Sequence, residues 1–302
     1  MTSLFLTILF LVGIEALGVV AADSGEREPY IVTAAWLAEH IDDPSLVLLH
    51  VGDKSEYDSA HIPGAQFISR ADISTPQGQG LTLELPSVEQ LDSTFENLGI
   101  SNHSRIILYF GKDWVSPTAR VYLTLEYIGM GERTSILDGG MPAWRREGRP
   151  LTNQIRPPKR GNIIPALHTN VIADAQYVMA SLQNPNVAIL DARTPNFYEG
   201  KDPGMASRSG RIPGARSIPF TTVLDDSNRF KNIEALRDLF TSQRVEEEER
   251  VVTYCHIGQQ ASLLYFIARY LGYDARMYDG SFEDWTRREE LPVETSAPTN
   301  KD

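Results

Sequence analysis

Two short runs, Arg105-Ile106-Ile107-Leu108-Tyr109-Phe110 and Arg250-Val251-Val252-Thr253-Tyr254-Cys255, are apolar at nearly every position and bounded by polar segments. A strand buried on both faces reads this way, as in a parallel sheet covered by helices. Beyond the second run, Leu263, Phe266, Ile267, Tyr270 and Leu271 fall at helical spacing, and Gly272 is placed to end that helix in a left-handed conformation. Beyond the first, Ser116-Pro117 reads as cap and first helical residue, Val121, Leu125 and Ile128 form the apolar stripe, and Gly129 closes it. Each run predicts a strand, a loop and a helix.

The same order recurs on a larger scale. Val47-Leu48-Leu49, Glu56-Tyr57 and His61-Ile62-Pro63-Gly64-Ala65 are matched by Ala188-Ile189-Leu190, Phe197-Tyr198 and Arg211-Ile212-Pro213-Gly214-Ala215. Asp138-Gly139-Gly140 precedes Trp144 as Asp279-Gly280-Ser281 precedes Trp285, a pattern that reads as a turn with a packing aromatic. The chain is a duplication, and alternating strands and helices make each copy α/β, a parallel sheet with helices on both faces. The segment 153–165, with its three prolines and Arg156, Lys159, Arg160 and Gly161, reads as a linker. It divides an N-terminal domain over 23–152 from a C-terminal domain over 166–302. At 302 residues the chain is long enough for each half to bury its own core.

The apolar stretch Leu4 to Ile14 is too short to span a bilayer comfortably, and Val20-Ala21-Ala22 suits signal-peptidase cleavage. Residues 1–22 are therefore read as a signal peptide and the protein as secreted or periplasmic, with no membrane association after cleavage. An uncleaved anchor is the alternative, because no Lys or Arg precedes Leu4 and Glu15 interrupts the apolar region. A net charge of −12 argues against nucleic acid and against a polybasic membrane-surface protein. An anionic substrate would need a local positive site.

Cys255 is the only cysteine, so no intramolecular disulfide forms. It stands at the carboxyl end of a strand, where open α/β sheets place their ligand sites. The loop His256-Ile257-Gly258-Gln259-Gln260 contains a glycine that lets successive N–H groups converge on the sulfur, and a helix starting near Ala261 adds its positive end. Both favour thiolate, the nucleophilic form. The bland alternative is a small buried residue ending a strand, but the first copy has Phe110 there, so packing does not require a cysteine.

The run from Tyr254 to Ser262, Asp191-Ala192-Arg193 at a strand end, the Ile-Pro-Gly-Ala turns, and Asp-Gly-Ser with Trp285 together resemble a rhodanese domain. The resemblance covers nearly all of the chain after residue 29, in two copies, as in tandem thiosulfate or 3-mercaptopyruvate sulfurtransferases whose N-terminal copy is inactive. It implies that Cys255 attacks the sulfane sulfur of a small anionic donor, holds it as a persulfide and passes it to cyanide, a thiol or a protein acceptor. It also implies no metal or organic cofactor. The loop residues His256, Ile257, Gly258, Gln259, Gln260 and Ala261, with Arg193, are the substrate-binding candidates.

Several departures stand out. Thiosulfate-using loops place cations where this chain has His256 and Gln260, and the small Gly-Ser-Gly pattern of mercaptopyruvate enzymes is lacking, so the donor stays open. Arg193 is the best remaining cation, with a structural pairing to an acid as its alternative; Arg208 and Arg211 are weaker candidates. His256 is not read as a base, since adjacent side chains at a strand end point apart. A phosphatase or arsenate reductase needs Arg six positions after the cysteine, where Ala261 stands. A non-enzymatic sulfur carrier or redox-sensing module is the other alternative, motivated by the missing cations.

Overall fold

The computed structural model describes residues 29–112 and 114–296; the leader read over 1–22 lies outside them. Five strands form the first sheet: β1 (Ile31–Val32), β2 (Leu46–Val51), β3 (Gln66–Ile68), β4 (Arg105–Phe110) and β5 (Thr134–Leu137). The second has β6 (Ile172–Ala173), β7 (Val187–Asp191), β8 (Arg216–Ser217), β9 (Arg250–Tyr254) and β10 (Ala275–Tyr278). The first is ordered β1-β5-β4-β2-β3 and the second β6-β10-β9-β7-β8, the same topology, parallel throughout. The helices are α1 (Ala34–His40), α2 (Lys54–Ser59), α3 (Val88–Asn97), α4 (Val115–Tyr127) and α5 (Gly140–Arg146) in the first half. The second half has α6 (Ala175–Ser181), α7 (Pro195–Tyr198), α8 (Ile233–Ser242), α9 (Gln259–Tyr270) and α10 (Ser281–Arg287). Among the described residues, no helix is long and apolar enough to cross a membrane.

Alternation along the strands sorts side chains between two faces. In β4, Ile107 and Tyr109 pack outward with α1 and α5, while Ile106, Leu108 and Phe110 point the other way. In β9, Val252 and Tyr254 face α6 and α10, whereas Val251 and the following Cys255 face the opposite side. Each half keeps a core of its own, around Trp144 in the first and Trp285 in the second, and a third cluster joins them. The faces bearing Phe110 and Cys255 meet across the duplication and share one apolar cluster, centred where α4 packs on α9. Both helices are buried over almost their whole circumference, which a surface helix is not.

Helix starts shift by about two residues from the sequence reading. Ser116-Pro117 lies within the first turn of α4, and Trp114 is the cap. Proline is tolerated there because first-turn N–H groups have no intrahelical acceptor. Ser116 is free to serve the domain interface, where its Oγ accepts from Gln259 Nε2 at 3.2 Å. Helix α9 begins at Gln259, not near Ala261. Residues 153–165 carry no helix or strand, yet they are pinned: Gly161 N and Ile163 N donate to Glu96 of α3 at 2.8 and 3.0 Å.

Candidate active site

Cys255 is buried one residue past the end of β9. Its backbone is braced by the Asp-Gly-Ser turn: Cys255 N donates to Ser281 Oγ at 3.1 Å, and Phe282 N donates to Cys255 O at 3.0 Å. Ser281 holds a left-handed φ of 49°, the conformation Gly140 adopts in the first half at 52°. The extra cost of a side chain in that region is offset by a hydroxyl that serves the cysteine loop. Sequence reasoning took this turn as packing only. The signal was there, in the one position of the repeated turn where glycine is exchanged for serine.

Beyond Cys255, the chain reverses through Gly258 at φ 84° and enters α9 directly. Among the described residues, no protein acceptor takes the backbone N–H groups from His256 to Ala261; the next, Ser262 N, closes on Gly258 O at 3.1 Å. A left-handed residue followed by a helix N-terminus is the arrangement that turns such groups toward an anion. A Cβ at Gly258 would lie 3.0 Å from both Arg120 Nη1 and Asp279 O. Gly258→Ala is therefore expected to cost about 1–2 kcal/mol from backbone conformation alone, and more from that crowding, read by chemical denaturation.

The loop residues divide between two surroundings. Gln259 is fixed to the first half, its Oε1 accepting from Arg70 Nη1 at 2.6 Å while its Nε2 donates to Ser116. Ile257 lines a large cavity shared with the first half. Ala261 is buried, and its carbonyl accepts from Thr253 Oγ1 at 3.0 Å; Gln260 Oε1 is buried without a partner. His256 turns to the other side, edge-on to Phe197 at 4.5 Å, its Nδ1 buried without a partner.

Arg193 does not reach into the loop as a free cation. Its Nε and Nη2 bond the Asp191 carboxylate at 3.0 and 2.6 Å, Nη2 also donates to Gly210 O, and its guanidinium lies 4.1 Å from the Phe282 ring. Burial opposes its charge, but Asp191 outweighs burial and raises its pKa. Asp191 also accepts from the Tyr254 hydroxyl at 2.6 Å, and that oxygen takes the N–H of Ile212 in the Ile-Pro-Gly-Ala turn. Burial, reinforced by Asp191, keeps Tyr254 a neutral donor. Arg208 and Arg211 also face backbone and side-chain acceptors of the C-terminal segment.

The first half supplies what sequence reasoning missed. Arg120, fully buried in α4, pairs with Asp279 at 2.6 Å, and Leu85 N donates to the other oxygen of that carboxylate at 3.0 Å. Asp138 mirrors this by accepting from Phe230 N at 2.9 Å. Each Asp-Gly turn thus ties down a loop of the opposite half. A lone arginine in the apolar run of α4 was the available signal; its partner lies too far along the chain to be read.

Comparison with known proteins agrees with this geometry. A family model described as a rhodanese-like domain matches residues 33–147 and 174–288. The chain belongs to the rhodanese family. It is a tandem rhodanese of the sulfurtransferase type, 31% identical over 271 residues to the thiosulfate sulfurtransferase of Azotobacter vinelandii, covering 88% of this chain and 97% of that one. It is 31% identical over 280 residues to the sulfur carrier protein TtuD of Thermus thermophilus, covering 87% and 95%. The wild-type structure of EanB shares the fold, with a TM-score of 0.81 at 21% identity over 89% of this rhodanese and 70% of that chain.

Two histidines of this rhodanese are held neutral. Burial pushes His256 down to about 4, with Arg193 adding to it, and burial pushes His50 down to about 4, with His61 adding to it. In the unfolded chain both protonate near 6.5. From pH 6.5 down to about 4 the unfolded state binds more protons, so stability falls as pH drops through that window. The slope from the fully buried His50 reaches about 1.4 kcal/mol per pH unit. Urea midpoints across this range should show the fall, and His50→Gln should make it shallower, leaving the part due to His256.

Proposed function

We propose that this rhodanese transfers a sulfane sulfur from a donor of the thiosulfate or 3-mercaptopyruvate class to a thiophilic acceptor through a persulfide on Cys255. The observation that carries the reading is the unclaimed run of N–H groups after Cys255, in the one half that has a cysteine. The Cys255 thiolate attacks the outer sulfur of thiosulfate, and the S–S bond breaks to release sulfite; or it attacks the thiol sulfur of 3-mercaptopyruvate, and the C–S bond breaks to release the pyruvate enolate, which takes up the thiol proton. The loop N–H groups offset the charge on sulfur before and after transfer. An acceptor thiolate or cyanide then attacks the outer sulfur, and Cys255 departs as thiolate.

With His256 neutral and Arg193 paired to Asp191, the loop clamps a dianion weakly, so thiosulfate turnover is expected to be slow. The same weakness, together with the name of the Thermus relative, favours a second reading as a sulfur carrier loaded by a protein. Mass spectrometry of the Cys255 peptide after incubation with each donor tests the first reading. One added sulfur with either donor supports it; none, on folded protein whose thiol still alkylates, favours the carrier. For residues 1–22 we propose removal on export, which N-terminal sequencing of the exported protein checks.

A further inference from the structure

Three residues separate Tyr57 from His61, whereas twelve separate Tyr198 from Arg211, so the second half carries nine more at this point. Matched contacts fix the equivalence on both sides. The Tyr57 hydroxyl donates to Ala65 O at 2.8 Å as the Tyr198 hydroxyl donates to Ala215 O at 2.7 Å, and His61 bridges Thr152 as Arg211 bridges Glu294. The added residues form a strap across the groove between α7 and α10. Ser207 Oγ donates to Thr286 O at 2.8 Å, and Arg208 donates to Leu291 O at 2.8 Å and to Arg288 O at 2.9 Å. Gly204 presses on Phe197 and His256: a Cβ there would come within 3.0 and 3.1 Å of their rings.

Among the described residues, nothing fills the equivalent groove of the first half. A cavity of about 880 Å³ lies there between α2 and α5, lined by Glu56, Gly111 and Arg145, the counterparts of Phe197, His256 and Thr286 beneath the strap. The open groove is also the more basic one. Lys112 and Arg145 stand where the second half has Ile257 and Thr286. Arg287 is paired with Glu283 one turn back, but its counterpart Arg146 has Pro142 at that place. Among the described residues, the guanidinium groups of Arg145 and Arg146 make no hydrogen bond or ion pair, and the charge of Arg146 reaches Asp138 only through space. Glu56 offsets one of the three cations by pairing with Lys112. Met141 and Pro142 add an apolar patch beside them.

We propose that this groove is a docking site for an extended acidic segment of a partner polypeptide, which lies where the strap lies in the second half. Carboxylates of the segment face Arg145 and Arg146, and an apolar side chain between them rests on Met141 and Pro142. The strap shows that a groove of this shape accepts extended chain, and the volume far exceeds what an inorganic anion fills. The net charge of −12 over the whole chain works against a nucleic acid or an anionic membrane surface, whose charge extends well beyond the groove. A short segment meets only the local cations. The site lies entirely on the half without a cysteine, so binding is independent of the persulfide reading.

The test uses a fluorescein-labelled peptide, Gly-Asp-Glu-Leu-Asp-Glu-Gly, and its neutral analogue with Asn and Gln in place of the acids. Fluorescence anisotropy follows the titration of each with the wild type, with Cys255→Ser and with the double variant Arg145→Thr, Arg146→Gln. Both arginines are exposed at the end of α5, so the double variant should melt close to the wild type. The expected result is saturable binding of the acidic peptide by the wild type and by Cys255→Ser, about tenfold weaker in the double variant and about tenfold weaker for the neutral peptide. Absence of binding by the wild type, equal binding by the double variant, or equal binding of the neutral peptide overturns the proposal. Displacement by inorganic pyrophosphate as effective as that by unlabelled peptide makes the groove a small-anion site and also overturns it. Self-association of the wild type in sedimentation, lost in the double variant, puts a second copy of this chain in the groove instead of a partner.

Discussion

Arg193→Ala is expected to destabilise the protein by about 3–5 kcal/mol, because it leaves the fully buried Asp191 carboxylate without its counter-charge. The melting temperature should fall by roughly 10 °C or more if the two halves unfold together, as their shared core implies. The loss also propagates. Asp191 holds the Tyr254 hydroxyl, which holds the turn at Ile212, so strand β9 loses its side-chain tether to that turn. A double variant, Asp191→Leu with Arg193→Met, removes both charges and should recover much of the stability, whereas either single change should not. Thermal and urea unfolding of the three proteins measure this. If Arg193→Ala instead unfolds like the wild type but raises the donor KM, the guanidinium belongs to substrate binding after all.

That fate was not legible in the sequence. An arginine two residues after an aspartate at a strand end serves equally well as a substrate cation or as a structural partner. Only the positions of Gly210 O and Phe282, brought in by distant turns, decide where its donors go. What was legible depends on local regularity. The buried strands β4 and β9, the helices that follow them and both Ile-Pro-Gly-Ala turns follow from period, composition and glycine placement, and the repeat gave each element a second witness. The cluster shared between the halves was hidden because the apolar positions of α4 and α9 satisfy a single-domain reading. The N-terminal contribution to the cysteine loop, through Arg70, Ser116 and Arg120, was hidden for the same reason. Each contact spans more than a hundred residues of chain.

Cys255→Ser is expected to abolish sulfur transfer, lowering turnover on the order of 10³-fold or more, since a serine oxygen forms no persulfide. The converse change isolates what the loop contributes. Phe110 occupies the same strand-end position and faces the same shared core, so Phe110→Cys puts a thiol at an equivalent place in the sheet. Its surroundings differ in the backbone. Helix α4 is entered through Trp114 at an extended φ of −126°, whereas α9 is entered through Gly258 at 84°. Trp114 does not take the left-handed conformation that Gly258 takes, so the thiol at position 110 is expected to lack the nest that would hold its charge. Removing the ring also opens a cavity, at a cost of about 3 kcal/mol, so the variant is best examined at low temperature. After incubation with donor, one sulfur should be found on the Cys255 peptide and none at position 110. A persulfide at position 110 would mean that sheet position, not loop geometry, makes a sulfur site in this fold.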